Sequence, residues 1–332
     1  MSTKYLYKVN SLDDIRNLPG DAGIGVLNGI PFVRSDAGLF PLALTAPATQ
    51  YYVDPQNGDD ANDGRSWGSA FASFDALDDI LDDGDTIYFS GVYKGNWDAP
   101  YKNDVSLIGV ANTPRQATDG GVANGAGATW LSVDTPVAAP LLTINKQAWR
   151  VENIFFNNQA TANPCILLLR DAETPEADAS HAAIIGCKFT GADDGIQQSG
   201  GVSFVKILGN AFKDFAGAGD IAISSVTGAG VGSFIEWEIA YNTFHGNVHN
   251  IIAAMGAASR IHHNFFVKIG NTITSTSIIN LTGGNHVTVD QNVFGHASVE
   301  APNDTLYVDG TACLWIANQC SNEVRYLKPD EA

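Results

Sequence analysis

The sequence has little positive charge. Of its 332 residues, 18 are Lys or Arg and 36 are Asp or Glu, which gives a net charge of -18. A surface that binds the phosphate backbone of nucleic acid carries an excess of Lys and Arg. The composition therefore argues against a nucleic acid partner. Charged residues make up only 16% of the chain and hydrophobic residues 45%, so the chain has enough apolar material for a large folded core.

Long apolar runs are also missing. The first residues, MSTKYLYKVNSLDDI, contain no apolar segment of signal-peptide length. No stretch of the chain approaches the roughly 18 apolar residues of a membrane span. We therefore expect a protein that is made in a cytosol, stays there unless a larger assembly carries it out, and has no membrane partner.

Cysteines are few. Cys165, Cys187, Cys313 and Cys320 are too few for a disulfide framework in a chain of this length. No CxxC spacing indicates zinc. Free, buried thiols are the expectation, with a disulfide between Cys313 and Cys320 as the alternative.

Residues 1–49 are predicted to form a small unit that precedes the main body, residues 50–332. Ser11 and Asp14 have the spacing of a helix start, and Pro19-Gly20 would end that helix. Asn28-Gly29 lies between two short apolar runs and is typical of a two-residue hairpin turn. Because an isolated hairpin is marginally stable in water, we expect this unit to act as an attachment arm that packs on another surface.

The main body begins with an acidic loop. The loop Asp54–Gly64 is rich in Asp, Asn and Gly, but its oxygens do not follow the D-x-[DN]-x-[DN]-G register of a calcium loop. A network of turns is the main interpretation, and calcium remains the alternative. Helical periodicity over Ser73–Leu81 predicts a helix that caps the end of the fold, and Asp85–Phe89 is predicted to be a strand.

A repeat follows, which is visible when short apolar strands are aligned on a shared phenylalanine. Successive phenylalanines are separated by 33, 23, 32, 22 and 28 residues. The aligned residues are Phe156, Phe189, Phe212, Phe244, Phe266 and Phe294. Two residues before each lie Ile154, Cys187, Asn210, Asn242, Asn264 and Asn292. Further apolar positions precede these with a period of two, and each repeat carries another short strand, such as Ile166–Leu169.

A unit of about 22 residues is too short for a strand plus a crossover helix, but it accommodates two or three short strands per coil. Longer intervals are read as loops inserted at the corners. Parallel crossovers are right-handed in nearly all cases. The sequence therefore predicts an all-β fold, a right-handed parallel β-helix, with stacked Phe rings in its interior and a ladder of stacked Asn side chains at a corner.

The start of the main body resembles the entry segment of pectin-lyase-like β-helix repeat proteins. The resemblance lies in the segment Val53–Gly64, in Ser66-Trp67, Ala70-Phe71 and Gly84-Asp85-Thr86, and the repeats extend it over about residues 51–325. That superfamily holds lyases, glycosidases and inert structural proteins, so the resemblance implies a fold rather than an activity. Its members include many bacteriophage tailspikes and virion surface proteins, in which a leading unit attaches the β-helix to the particle.

Paired carboxylates are the residues that glycoside hydrolysis requires, and adjacent coils of a β-helix can place two of them within reach. Asp193-Asp194 is similar to the paired aspartates of polygalacturonase-like enzymes. The other elements of that pattern, Asn-Thr-Asp, Gly-His-Gly and Arg-Ile-Lys, are missing from the sequence. Since Gly residues flank the pair, a turn is the simpler interpretation.

Two other polar groups are weaker candidates. Arg170, Asp171, Glu173, Glu176, Asp178 and His181 form a polar insertion that would suit a lyase but equally an exposed loop. Glu238 aligns with Lys206 on the coil before and Arg260 on the coil after, which predicts cross-strand ion pairs on a solvated face, with Glu236 also outward.

The histidines could form a metal site only if they converge. His245 and His249 precede His262 and His263, which lie on a neighbouring coil. Successive strand residues point to opposite faces, so we expect at most one of His262 and His263 to join a cluster. No nucleotide-binding, P-loop or Ser-His-Asp fingerprint is present, and no cofactor is implied.

These observations favour a non-enzymatic virion surface protein of a bacteriophage, either a capsid decoration (cement) protein or a short tail-associated spike. We expect a homotrimer that contacts capsid or tail proteins through residues 1–49. The main alternative is a depolymerase, a hydrolase or lyase that acts on host surface polysaccharide. A carbohydrate-binding module without turnover is the third.

Overall fold

The structure is a computed structural model of the whole chain. It describes residues 6–8, 24–27, 30–35, 38–41, 48–110, 127–133, 139–158, 163–171, 177–191, 194–213, 215, 221–226, 235–245, 250–253, 258–269, 279–281, 286–296, 307–308, 313–320 and 323–326. The chain divides into two compact units, Met1–Ala48 and Thr49–Ala332.

The first unit contains a four-stranded sheet in the order β1-β2-β3-β4. Its strands are β1 (Leu6–Lys8), β2 (Ile24–Leu27), β3 (Ile30–Ser35) and β4 (Gly38–Pro41). The predicted hairpin is confirmed, because β2 and β3 pair antiparallel with Leu27 opposite Ile30. β1 pairs parallel with β2, and β4 pairs antiparallel with β3; neither strand was predicted. The predicted helix after Ser11 and the turn at Asn28-Gly29 lie outside the described residues.

The second unit is the predicted right-handed parallel β-helix, built from three sheets of parallel strands. The first sheet contains β5 (Gln50–Val53), β6 (Thr86–Phe89), β9 (Ser106–Gly109), β12 (Arg150–Glu152), β15 (Ala183–Ile185), β18 (Lys206–Leu208), β21 (Glu238–Ala240), β24 (Arg260–His262), β27 (Thr288–Asp290) and β30 (Leu314–Ile316). The second sheet contains β7 (Val92–Lys94), β10 (Thr129–Leu131), β13 (Phe155–Asn158), β16 (Lys188–Gly191), β19 (Ala211–Lys213), β22 (Thr243–His245), β25 (Phe265–Ile269), β28 (Val293–His296), β31 (Gln319–Cys320) and the antiparallel β32 (Glu323–Tyr326). The third sheet contains β8 (Trp97–Asp98), β11 (Leu142–Ile144), β14 (Ile166–Leu169), β17 (Ile196–Ser199), β20 (Ile221–Val226), β23 (Asn250–Ala253), β26 (Ile279–Asn280) and β29 (Tyr307–Val308).

The segment predicted as a capping helix over Ser73–Leu81 forms a shorter element. Its regular part is the 3₁₀ segment Asp75–Leu77, and a second 3₁₀ segment covers Trp67–Ser69. Like charges three and four residues apart weaken a helix, and Asp75 precedes Asp78 and Asp79 at those spacings. The segment nevertheless packs on the core through the fully buried side chains of Phe74 and Leu77. Among the described residues, no helix has the length and apolar character needed to cross a bilayer.

The predicted phenylalanine column fills the interior of the β-helix. Each ring pairs in register with the ring on the next coil. Ring centroids are 4.6–5.4 Å apart, and the planes are within 12° of parallel. At the amino-terminal end the column continues through Trp130 to Phe74, whose rings are stacked 4.4 Å apart. Burying each Phe contributes roughly 1.5–3 kcal/mol, so this column is a main source of stability.

The predicted asparagine ladder occupies the corner between the first and second sheets. The Oδ1 atom of Asn264 accepts hydrogen bonds from the backbone N and the Nδ2 of Asn242, both at 3.0 Å. Its own Nδ2 donates to the carbonyl of Ile239 at 2.9 Å. Asn292 repeats these contacts on the next coil and Asn318 extends them beyond the predicted range. The ladder therefore satisfies the buried polar groups that a tight corner would leave without partners.

Core and ladder positions should be far more sensitive to substitution than the outer surface. Phe266→Ala should lower the free energy of unfolding by about 3–5 kcal/mol, because the void between two stacked rings cannot close. Asn264→Ala should cost about 2–4 kcal/mol, since it leaves buried donors and acceptors unpaired. Glu238→Ala, on the outer face, should cost less than about 1 kcal/mol. Urea unfolding measures all three, and equal losses would contradict the inward and outward assignment.

Candidate functional site

Asp194 is the better described member of the predicted carboxylate pair, because Asp193 lies outside the described residues. Asp194 is 6% exposed and lies two residues before β17. Oδ1 accepts a hydrogen bond from the backbone N of Ile221 at 2.8 Å, and Oδ2 accepts one from Gln197 Nε2 at 2.8 Å. The Ser224 hydroxyl also donates to Oδ2. Asp194 therefore ties its own coil to the next one, as a structural carboxylate does.

The polar insertion after β14 closes on itself. Arg170 forms an antiparallel bridge with Asp178, and the backbone N of Asp171 donates to the carbonyl of Ala177 at 3.2 Å. The Arg170 guanidinium donates to the carbonyl of Gly201 at 3.1 Å. Glu173 and Glu176 lie outside the described residues. In the described part of the insertion, these hydrogen bonds hold the two ends of the loop together.

Asp178 holds the base of this loop. Ser180 donates to its Oδ1 through the backbone N at 3.0 Å and through the hydroxyl at 2.5 Å. Burial raises the pKa of Asp178, but the hydrogen bonds from Ser180 and Gln147 and the charge of Arg170 outweigh it and lower the pKa. His181 turns away from this group and stacks on Phe204 of the next coil with 4.7 Å between ring centroids. Arg170, Asp178 and His181, the candidates whose side-chain contacts are described, thus serve separate structural contacts.

The outer face of the first sheet carries the predicted charged column. Glu238 lies opposite Lys206 and Arg260 in the strand register, as predicted, and Lys206 Nζ is 3.6 Å from Glu238 Oε2. The Arg260 guanidinium makes its strong contact elsewhere. It binds Asp290 through two parallel hydrogen bonds, Nε to Oδ1 at 2.8 Å and Nη2 to Oδ2 at 2.7 Å. The alignment missed this pair because Arg260 lies opposite Thr288, and Asp290 is its diagonal neighbour two residues on.

His262 and His263 contradict the expectation that they point to opposite faces. Their Nδ1 atoms are 2.8 Å apart. β24 ends at His262, and His263 has a φ of 53°, a left-handed conformation that turns its side chain back towards its neighbour. Tyr241, on the preceding coil, stacks on the His263 ring at 5.1 Å. The alternation rule failed here because it holds only while the backbone remains extended.

This contact limits the protonation of the histidine pair. Only one of two facing Nδ1 atoms can carry a proton in a hydrogen bond between them. His262 Nε2 also contacts Glu238 Oε1 at 3.3 Å. Burial, and next the charge of Arg260, lower the pKa of His262 despite the Glu238 carboxylate. His245 ends β22 of the second sheet and His249 lies outside the described residues. Within the described part of the chain, no three His, Cys, Asp or Glu side chains are arranged to hold a metal ion.

The acidic loop Asp54–Gly64 forms the predicted network of turns. Asp54 Oδ1 accepts hydrogen bonds from the backbone N of Gln56 and of Asn57 at 3.0 and 3.2 Å. Asp60 Oδ1 accepts two more, from Ala72 and Ser73, each at 2.8 Å. These carboxylates replace backbone carbonyls as turn acceptors, as Asp commonly does.

Cys165 and Cys187 agree with the first of the two expectations, since both are buried thiols. The alternative disulfide would join Cys313 to Cys320, whose side chain lies outside the described part of the chain. Cys165 and Cys187 are buried in the core, whereas Cys313 is half-buried. Burial raises the pKa of Cys187 to about 12, so this thiol is uncharged at neutral pH and packs as an apolar side chain.

Comparison with known proteins supports the fold. No protein-family model and no curated protein matches the chain. Among solved structures, a rhamnogalacturonan lyase matches with 11% identity and a TM-score of 0.51, over 75% of this chain and 69% of that one. The pectin methylesterase of Aspergillus niger matches with 14% identity and a TM-score of 0.45, over 87% and 92%. The ORF18 protein of Geobacillus virus E2 matches with 12% identity and a TM-score of 0.45, over 98% and 77%. At 11% identity the likeness to the rhamnogalacturonan lyase shows the fold alone, a parallel β-helix, and the two matches with a TM-score of 0.45 add nothing to it.

The Arg260–Asp290 pair should make stability depend on acidic pH. The hydrogen bonds from Arg260 hold the pKa of Asp290 below its usual range, although burial opposes them. A carboxylate with a lowered pKa contributes stability above its unfolded pKa of about 4, and this contribution is lost as the pH falls through the lowered value. Asp290→Asn should therefore cost about 1–2 kcal/mol at pH 7.

The measurement is urea unfolding of both proteins between pH 7 and pH 2. The difference between wild type and Asp290→Asn should begin to shrink below about pH 4, where the Asp290 carboxylate of the unfolded chain takes up a proton, and should be lost once the pH has fallen through the lowered pKa of the folded protein. Glu238→Gln, which alters a half-exposed carboxylate on the same face, is the control and should change the free energy of unfolding at pH 7 by less than about 1 kcal/mol. A gap between wild type and Asp290→Asn that stays constant over this range would contradict the role given to the ion pair.

Proposed function

We propose that the chain is a non-enzymatic structural protein on the surface of a bacteriophage virion, a capsid decoration protein or a short tail-associated spike. The observation that carries the non-enzymatic part is the environment of Asp194. Three neighbouring groups donate to its carboxylate, and it is almost fully buried. A general acid or nucleophile needs a free face towards its substrate, which these contacts occupy.

Two other described carboxylates, those of Asp178 and Asp290, support the same interpretation. Asp178 binds Ser180 and Gln147, and Asp290 binds Arg260. Each carboxylate is therefore used to join loops or coils of the β-helix. A general-acid carboxylate has a pKa raised towards neutrality, whereas the pKa values of Asp178 and Asp290 are lowered, so neither side chain is suited to donate a proton at neutral pH.

The attachment role rests on the first unit, residues 1–48. It forms a small sheet that clusters as a unit of its own, before a β-helix of 284 residues (49 to 332). A single sheet must bury its apolar face against another layer of structure, so a partner surface would stabilise it. We propose that capsid or tail proteins provide that surface, and that three copies of the chain associate as a homotrimer.

A polysaccharide lyase or hydrolase remains the main rival, because the fold also hosts such enzymes. Purified protein incubated with polysaccharide of the host surface should leave its chain length unchanged, as measured by size-exclusion chromatography. The double variant Asp193→Asn, Asp194→Asn should lower the melting temperature, because an amide cannot accept all the hydrogen bonds of the Asp194 carboxylate. Asp59→Asn, in an exposed turn, is the matched control and should melt close to wild type.

Cleavage of the polysaccharide by the wild type would overturn the non-enzymatic assignment. If Asp193 and Asp194 carry out this cleavage, the Asp193→Asn, Asp194→Asn variant should lose activity by several orders of magnitude while its far-ultraviolet circular dichroism stays unchanged. Cleavage that survives the double variant would place the active site elsewhere on the β-helix and would equally reject the assignment.

The attachment proposal has its own test. Deletion of residues 1–48 should leave the β-helix folded, since the interior columns lie entirely within residues 49–332. The truncated protein should retain a cooperative melt and fail to assemble into particles in an in vitro incorporation assay. Incorporation at the level of the full chain would show that the β-helix, rather than the first unit, contacts the particle.

A further inference from the structure

A surface cavity of about 460 Å³ lies at the carboxyl ends of β8, β11 and β14, the first three strands of the third sheet. We call it the Tyr101 cavity. The lining residues used below are Asp78, Asp98, Tyr101, Thr143, Asn145 and Leu169. None of them belongs to the carboxylate pair, the polar insertion or the histidine pair described above. A volume of this size falls in the range of sites for small ligands.

The buried amide of Asn145 provides an acceptor that the protein itself leaves unpaired. Asn145 is 5% exposed, and its Nδ2 donates to the carbonyl of Ala99 at 2.9 Å. Because a carbonyl accepts, the atom that faces it must be the nitrogen, which fixes the orientation of the amide. Its Oδ1 is buried and has no hydrogen-bond partner in the protein. A buried acceptor without a partner is costly, so the site is suited to a donor supplied by a ligand.

The remaining polar groups in the lining extend this preference for donors. Asp98 and Asp78 are exposed carboxylates, which only accept hydrogen bonds when ionised. Trp97 Nε1 donates to Asp78 Oδ1 at 2.9 Å and anchors that side chain beside β8. The described lining residues include two carboxylates and no Lys, Arg or His. Because these two carboxylates repel anions, uronate, sulfate and phosphate groups are disfavoured ligands, although the Lys146 ammonium lies near the Tyr101 ring.

Tyr101 adds an aromatic surface. Its side chain is 55% exposed, and Pro100 and Leu169 contribute apolar groups to the same lining. Lys146 Nζ lies 5.5 Å from the centroid of the Tyr101 ring and helps to hold the ring in place. An exposed aromatic ring beside convergent hydrogen-bond acceptors fits a ligand that has an apolar face and several hydroxyl or amino groups.

We infer that the Tyr101 cavity binds a neutral or amino sugar residue of a glycan. Tyr101 packs against one face of the sugar ring, and Asn145 Oδ1 accepts a hydrogen bond from a hydroxyl or amino group. Asp78 and Asp98 accept further hydrogen bonds from the same residue. This binding goes beyond the structural role proposed above, since it needs neither a virion nor cleavage of the glycan.

The experiment is isothermal titration calorimetry of the full chain with four oligosaccharides of equal length. The probes are a galactose tetramer, an N-acetylglucosamine tetramer, a glucosamine tetramer and a galacturonate tetramer. We expect at least one of the three neutral or amino tetramers to bind with a Kd in the micromolar to millimolar range. The galacturonate tetramer should bind at least tenfold more weakly than that tetramer. No binding by any neutral or amino probe, or tighter binding of galacturonate, would overturn the inference.

Variants of the lining locate the binding. Tyr101→Ala should raise the Kd at least tenfold, and because Tyr101 is exposed the variant should fold normally. Asn145→Leu should have a similar effect on the Kd, with thermal melting as the check on folding. Tyr241→Ala is the matched control, since Tyr241 is 60% exposed but projects from a corner of the first sheet. A Kd that Tyr101→Ala leaves unchanged would exclude this cavity as the binding site.

These outcomes are separable from those for the proposed function. Failure of glycan binding leaves particle incorporation through residues 1–48 intact. Failure of incorporation leaves the Kd of the sugar tetramers intact, because the titration uses the free protein. Shortening of a bound tetramer, detected by mass spectrometry after the titration, would reject the non-enzymatic proposal while supporting the sugar site.

Discussion

The whole β-helix depends on one constraint, which is that every coil must stack on the next in strict parallel register. Strands in a sheet are about 4.8 Å apart, so a side chain of one coil meets the equivalent side chain of the next at that distance. The Phe column meets this constraint with rings stacked at 4.6–5.4 Å. The asparagine ladder meets it at a corner, where Asn264 pairs with the coils on both sides. The positions of the Phe column and the asparagine ladder therefore favour a residue type whose side chain stacks well on an identical side chain in the next coil.

The same constraint explains which parts of the fold could be predicted. Positions that repeat one residue type, such as Phe244 and Asn242, are visible in the sequence because each coil imposes the same requirement. Asn318 was missed because its coil carries Cys320 where the other coils carry Phe. β17 was missed because Gln197, Gln198 and Ser199 replace the apolar residues of the equivalent strand β14. The Gln198 side chain is buried all the same, and its Oε1 accepts hydrogen bonds from the backbone N of Gly201 and Val202 at the corner.

Outward side chains follow no such rule, and the candidate sites were accordingly harder to predict. Arg260 could pair with Glu238 directly across or with Asp290 diagonally, and both lie within reach on the outer face. The buried carboxylate of Asp290 offers two oxygens in a plane, which match the planar fork of the guanidinium. The Arg260–Asp290 pairing depends on side-chain rotamers, and the contact between His262 and His263 depends on where β24 ends. Neither the rotamers nor the end of the strand can be read from the spacing of residues along the chain.

The buried and the exposed acidic residues of the β-helix have different surroundings. Carboxylates that join coils, such as Asp194, are buried and bound by backbone or side-chain donors. Asp98, in contrast, is exposed at the end of its strand and lines a cavity. The net charge of -18 disfavours anionic ligands most strongly at low ionic strength, where surface charges are least screened. In the sugar site that we propose, the carboxylates of Asp78 and Asp98 accept hydrogen bonds from hydroxyl or amino groups, whereas they would repel the carboxylates of an anionic glycan. The acidity from which we expect no nucleic acid partner thus also bears on which glycans we propose as ligands.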